Sequence, residues 1–266
     1  MATLAEALAT IDNPDIRHIV PISGGKDSSA LAIYMLQEYP QIEVGYVFCD
    51  SECELTETYD YLDRLELLLG KPITRVSVFD VYDVERKPTR NAFDLMLNER
   101  YGGYLPGPMA RWCTRELKIK PFEKYIGDSL AYSYIGIRAD EDRGGYQKGA
   151  KPPVLSQKNN IVPVYPFKEN GIGLEAVQLL LETTGLGLPD YYEWRSRSGC
   201  YFCFYQQIAE WQGLKERHPD LFEKAKQYER DSDSFTWVEG RTLDEIAAMP
   251  RRELTEAKDG CAICHL

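Results

Sequence analysis

The sequence predicts an α/β protein: a parallel sheet with helices on both faces, extended by a small helical, cysteine-rich C-terminal module. Two observations predict it. Through the first two-thirds of the chain, short apolar runs alternate with segments of helical period, the pattern of strands joined by crossover helices. After Cys203 that alternation stops, and residues 204–266 are aromatic and helical in character. The length of 266 residues admits one large domain with an appendage. The expected division is 1–199 and 200–266.

Taken in order, His18-Ile19-Val20-Pro21-Ile22 is a short apolar run that reads as a buried strand. A helix follows from Ser28 to Leu36. Residues 43–49 read as a second strand. Residues 56–69 read as a helix with Leu62, Leu65 and Leu69 on one face, ended by Gly70. Residues 73–79 read as a third strand and 91–100 as a helix. Residues 101–111 hold three glycines and two prolines and read as a loop. Residues 131–138 read as a fourth strand, ending in charge. Residues 139–160 are charged and glycine-rich and read as a mobile loop, 161–166 as a short apolar stretch, and 174–183 as a helix. Ligands of such sheets sit at the carboxyl ends of the strands, where Ser23, Asp50 and Arg138 fall.

Between the first strand and its helix stands Ser23-Gly24-Gly25-Lys26-Asp27-Ser28. Glycines let the backbone approach a ligand, and the N–H groups and dipole of a helix start favour phosphate oxygens. Lys26 adds a point charge, and Ser23 and Ser28 add hydroxyls. The spacing fits neither the Walker A loop nor the G-x-G-x-x-G dinucleotide fingerprint. Asp27 and Asp50 are carboxylates beside an anion site, which makes sense if Mg²⁺ bridges them to phosphate; Asp27 also suits a helix cap. Arg138 and Arg143 can fork onto phosphate oxygens, or pair with Asp140, Glu141 and Asp142 at the surface.

The loop resembles the pyrophosphate-binding loop (PP-loop) of the ATP pyrophosphatases, which cleave ATP between its α- and β-phosphates. The resemblance extends along the chain. Phe48-Cys49-Asp50-Ser51 followed by Glu57-Thr58-Tyr59 is similar to the second motif of the phosphoadenosine-phosphosulfate reductase family, with Ser51-Glu52 standing where the family usually has Thr-Gly. Arg111-Trp112-Cys113-Thr114-Arg115-Glu116-Leu117-Lys118-Ile119-Lys120-Pro121 resembles the family's cysteine-to-lysine-proline segment, with one cysteine where cluster-bearing reductases have two. Gly136-Ile137-Arg138 resembles its phosphate clamp, and residues 189–203 its closing segment. Within the family the arrangement resembles most the ATP pyrophosphatase components of DNA phosphorothioation systems. That resemblance implies an adenine nucleotide alpha hydrolase-like fold, ATP with Mg²⁺, and Lys26, Asp27, Cys113 and Lys118 at the chemistry. It also implies a cysteine desulfurase as sulfur donor and further modification-system proteins that hold the DNA.

Seven cysteines, an odd number, argue against a disulfide framework and toward metal or redox chemistry. Cys200-x-x-Cys203 and Cys261-x-x-Cys264 are chelating pairs, each beside a glycine. Four thiolates suit a [4Fe-4S] cluster or Zn²⁺. Cys113 is either a cluster ligand with the first pair or a free thiol that carries sulfur as a persulfide.

A net charge of −11 sets this chain apart from proteins that grip nucleic acid with a basic surface. Positive charge must be confined to a pocket, or a partner must hold any polymer. No apolar run is long enough to span a membrane, and residues 1–13 lack the pattern of a signal peptide, so the expected location is the cytoplasm. The expected reaction is adenylation of a substrate oxygen for sulfur insertion. The rivals are a sulfonucleotide reductase with a nucleophile at Cys261 or Cys264, a tRNA-thiolating enzyme, and a nucleotide-binding scaffold without catalysis.

Overall fold

The computed structural model describes residues 1–87, 89–141, 156, 158–232 and 235–255. Five strands form one parallel sheet: β1 (Ile16–Ile22), β2 (Val44–Cys49), β3 (Ile73–Val76), β4 (Leu130–Tyr134) and β5 (Ile161–Val164). Their order is β3-β2-β1-β4-β5. The chain runs outward from β1 through β2 to β3, then restarts on the other side with β4. The carboxyl end of β1 is therefore the switch point where open α/β sheets leave a crevice for ligands.

Both faces of the sheet are covered, which is why its strands read as nearly unbroken apolar runs. Alternate residues feed opposite cores. Val20, Ile22, Tyr46 and Phe48 face the core that holds α1 (Leu4–Leu8), α2 (Lys26–Glu38) and α3 (Thr56–Leu69). Ile19, Val47, Cys49 and Ala131 face the opposite core with Phe122 and Ile126. Pro21 is tolerated in this central strand because the β1–β4 ladder ends at Ile19, so no bond to β4 is lost there.

The third strand is shorter than the sequence suggests. It ends at Val76, because Ser77 caps α4 (Val78–Tyr82): its side chain accepts from Phe79 N–H, while Asp80 returns a bond to Ser77 N–H at 2.6 Å. The helix expected over 91–100 forms as α5 (Ala92–Leu95) continued by a π-turn, Met96–Arg100. The fourth strand stops at Tyr134, which leaves Arg138 in the loop beyond it.

Residues 112–126 form a helix the periodicity did not reveal: α6 (Trp112–Thr114), a π-turn (Arg115–Ile119) and α7 (Lys120–Ile126). Pro121 explains the widening. It has no N–H to donate and crowds the carbonyl four residues back; a wider turn removes the conflict. Glu116, only 2% exposed, pins this turn by accepting from Lys120 Nζ at 2.8 Å, from Tyr101 at 3.2 Å and from Tyr82.

The remaining helices are α8 (Pro166–Glu169), α9 (Leu174–Thr183), α10 (Ile208–Arg217), α11 (Pro219–Arg230) and α12 (Leu243–Ala248). α9 packs on α2. The last three build a separate core in which Trp211, Phe222 and Trp237 meet Leu55, Val78, Phe93 and Trp112 from the sheet domain. No described helix is long and apolar enough to cross a membrane.

Candidate active site

Residues 23–28 lie as expected between β1 and α2. Gly24 has φ +74, and a Cβ there would stand 2.5 Å from Thr58 Cγ2; only glycine fits. A Cβ on Gly25 would stand 2.8 Å from Ser198 Oγ. Three segments therefore converge on the loop backbone. Thr58 covers it from the start of α3. Tyr191 donates its hydroxyl to Gly24 O at 2.8 Å, and the Tyr192 hydroxyl accepts from Lys26 N–H at 3.4 Å. Ser23 Oγ lies 3.0 Å from Ser28 Oγ and 3.4 Å from Ser198 Oγ.

Asp27 is buried in the first turn of α2. Arg138 Nη1 meets its Oδ1 at 2.8 Å, and Lys26 Nζ lies 3.3 Å from its Oδ2. Arg138 is brought there by Gly136, whose absent Cβ would stand 2.9 Å from Asp27 O. Arg138 also pairs with Asp140 and Glu141, each at 3.0 Å. Its guanidinium is thus ringed by three carboxylates, and burial that would weaken its charge is outweighed by them. Lys26 also lies over the Tyr192 ring, 5.2 Å from its centroid.

Asp50 follows β2 directly. Its Oδ1 accepts from Glu52 N–H at 2.7 Å and from Tyr59 OH at 2.8 Å. This turn puts Glu52 at φ +58, a left-handed position that explains the glycine usual there in the family. Glu52 is held in it because its carboxylate accepts from Ala92 N–H at 2.9 Å and pairs with Arg86.

Next to this turn is a thiol pocket. Cys200 Sγ lies 3.2 Å from Ser51 Oγ and 3.8 Å from Glu54 Oε1. Glu54 is 7% exposed, and its Oε2 is buried with no hydrogen-bond partner among the described residues. Burial, reinforced by the Glu54 charge, pushes the Cys200 thiol well above its ordinary value, and Lys118 opposes the shift. Burial likewise pushes Cys49 up to about 12, again opposed by Lys118. Lys118 is carried on the second π-turn, and its charge is felt by both of these thiols. Arg195, 1% exposed, donates to the carbonyls of Gly199 and Cys200 at 2.8 and 2.7 Å and so fixes the turn that presents the thiol.

Cys203 N–H closes on Cys200 O at 3.1 Å. Cys113 and Cys200 are half-buried against the same aromatic core. Arg143, Cys261 and Cys264 lie outside the described residues, so the expected four-cysteine centre is represented here by its first pair alone. Among the described residues no three His, Cys, Asp or Glu side chains are grouped so as to hold a metal ion. Glu54, Arg195 and Ser198 were not singled out by the sequence; their signal was only their closeness to motif residues.

A parallel sheet with a glycine loop at its switch point, an aspartate held between a lysine and an arginine, and a half-buried thiol beyond define a nucleotide-type α/β site. Residues 17–169 match the phosphoadenosine phosphosulfate reductase domain, and the chain belongs to that family. It is 24% identical over 211 residues to the uncharacterised protein MJ0066 of Methanocaldococcus jannaschii, covering 77% of this chain and 40% of the relative. It is 28% identical over 134 residues to the tRNA-specific 2-thiouridylase MnmA of Haemophilus ducreyi, covering 47% of this chain and 32% of the relative. The chain thus spans less than half the length of these relatives. Among solved structures it is similar to a phosphoadenylyl-sulfate reductase from Candida auris in a phosphate complex (TM-score 0.47, 12% identity, 73% of this chain and 85% of that one). It is also similar to the U34-tRNA thiolase NcsA of Methanococcus maripaludis with its [4Fe-4S] cluster (TM-score 0.44, 16% identity, 81% and 71%).

Proposed function

We propose that this chain is an ATP pyrophosphatase that adenylates a substrate oxygen for sulfur insertion, in DNA phosphorothioate modification. The observation that carries the reading is the meeting of Lys26 and Arg138 on buried Asp27 at the mouth of the glycine loop. Backbone N–H groups of residues 24–28 and the start of α2 would receive the phosphates of ATP. Asp27 and Asp50, both following the carboxyl ends of adjacent strands, are the oxygen donors suited to Mg²⁺, which when bound would offset phosphate charge. The acceptor oxygen attacks the α-phosphorus and pyrophosphate leaves. A sulfur nucleophile then displaces AMP, which carries the original oxygen away. Positioning and charge neutralisation supply the rate.

Sulfur would come from a cysteine desulfurase and be carried on Cys113 as a persulfide, whose outer sulfur attacks the acceptor. A second thiol then attacks the Cys113 sulfur, forming a disulfide and leaving the transferred sulfur on the acceptor. Other proteins of the modification system would hold the DNA. Arg143 would assist Arg138 in holding phosphate. A [4Fe-4S] cluster or Zn²⁺ on Cys200, Cys203, Cys261 and Cys264 belongs to the same proposal, and would tie the C-terminal end of the chain to the first CxxC pair. A second reading, tRNA thiolation, is favoured by the similarity to MnmA; it shares the adenylation step and differs only in the acceptor. The test is pyrophosphate release from ATP and Mg²⁺ with DNA, tRNA or no acceptor. Lys26→Ala and Asp27→Ala should each abolish it. Wild-type release in both variants would sink the assignment, and sulfite release from a phosphosulfate in place of pyrophosphate release would make the protein a reductase.

A further inference from the structure

Beyond the nucleotide loop and the thiol, two arginines share one aromatic ring. Arg197 rests against the Tyr205 ring, 5.2 Å from its centroid, and donates through Nη2 to the Tyr205 carbonyl. Arg111 lies against the same ring at 5.5 Å. Arg197 is half-buried and takes part in no ion pair among the described residues. Its Nη1 is buried with no hydrogen-bond partner among the described residues. A buried, unsatisfied cationic donor is costly and calls for an anion, and this stands in a chain of net charge −11.

The location is specific. Arg197 precedes Ser198, whose hydroxyl touches Ser23 of the glycine loop, and Cys200 comes two residues after Ser198. Arg111 comes two residues before Cys113. Arg197 is thus one residue from the contact with the nucleotide loop, and Arg111 is two residues from the candidate sulfur carrier Cys113. Two planar forks on one aromatic ring match the shape of phosphate oxygens and can stack beside a base.

We propose that Arg111, Tyr205 and Arg197 form the subsite that binds a backbone phosphate of a phosphodiester-linked acceptor strand. The subsite lets an acidic protein hold a polyanion locally. It rests on the adenylation reading only for the step that consumes the acceptor, not for strand binding itself.

The test uses the full chain, a labelled short single-stranded DNA and the same sequence as RNA, titrated across a salt series, with a fluorescent ATP analogue measured separately. Arg197→Ala and Arg111→Ala should each weaken binding of at least one strand by about tenfold. Each should also lower the salt slope by about 0.7. Arg197→Lys should recover the slope without recovering full affinity, a result that a merely structural role for Arg197 does not give. ATP-analogue binding should match the wild type in all three. The strand affected identifies the acceptor as DNA or RNA. Wild-type affinity and slope in the alanine variants overturn the proposal, as does a wild-type protein that binds ATP but neither strand. Loss of ATP-analogue or pyrophosphate affinity in place of strand affinity also overturns it. Strand binding without ATP binding in the wild type would instead count against the adenylation reading and leave the subsite standing.

Discussion

Arg138 is the residue on which the nucleotide site turns, and its role differs from a simple phosphate clamp. Three carboxylates surround it, and the shortest contact, 2.8 Å, is to Asp27. Arg138→Lys keeps the charge and loses the fork that reaches several oxygens at once. ATP turnover should fall by more than tenfold, about 1.4 kcal/mol; wild-type kinetics would show that Asp27 needs no such positioning. His18 gives a second prediction. It is 6% exposed, its Nδ1 lies 2.7 Å from the Tyr134 hydroxyl, and burial holds its pKa below 6.5. The unfolded chain therefore takes up a proton that the folded one refuses, and stability contributed by neutral His18 is lost as pH falls below about 6.5. The loss is at most about 1.4 kcal/mol per pH unit. Urea melts at pH 7.5 and 5.5 should differ less for His18→Gln than for the wild type, and equal differences would refute the assignment. At this scale the sequence was most informative where chemistry is local. Ser23, Lys26, Asp27 and Asp50 declare themselves by type and by position after a strand. Glu54 and Ser198 do not, because their significance comes from long-range closure onto Cys200 and Ser23; Arg195 does not, because it holds the carbonyls of a local turn that no motif marks.

Among the elements, the helix at residues 112–126 was the least legible. Its π-turn breaks the 3.6-residue period, and Pro121 reads as an interruption. The strands were easier, since two buried faces leave a continuous apolar signal; the third was overrun only because Val78 and Phe79 are apolar for the sake of the second core. The π-turn depends on one buried carboxylate. Glu116→Ala leaves Lys120 and the hydroxyls of Tyr82 and Tyr101 without their acceptor. It should cost about 2–3 kcal/mol, and because Lys118 rides on the same turn, activity should fall further than stability alone explains. A melting temperature and rate unchanged from the wild type would mean the turn is held by its packing.

For the molecule as a whole, the C-terminal helices do not stand apart from the sheet. Trp211, Phe222 and Trp237 share a core with Leu55, Val78, Phe93 and Trp112. A chain cut after residue 199 would expose that apolar surface, and it should bind a hydrophobic dye and lack a cooperative melt. A fragment 1–199 that folds cooperatively and binds ATP would show the two parts to be independent. The closure of the nucleotide loop also has a bearing on biosynthesis. Ser23 waits for Ser198, which lies 175 residues later in the chain. At ribosomal rates of about 5–20 residues per second, that is a delay of roughly 10–35 s. Throughout it, the loop lacks Tyr191, Tyr192 and Ser198, so the packing of its backbone is completed only late in synthesis. The loop and the first CxxC pair therefore reach their final surroundings at nearly the same moment, since Ser198 is two residues from Cys200.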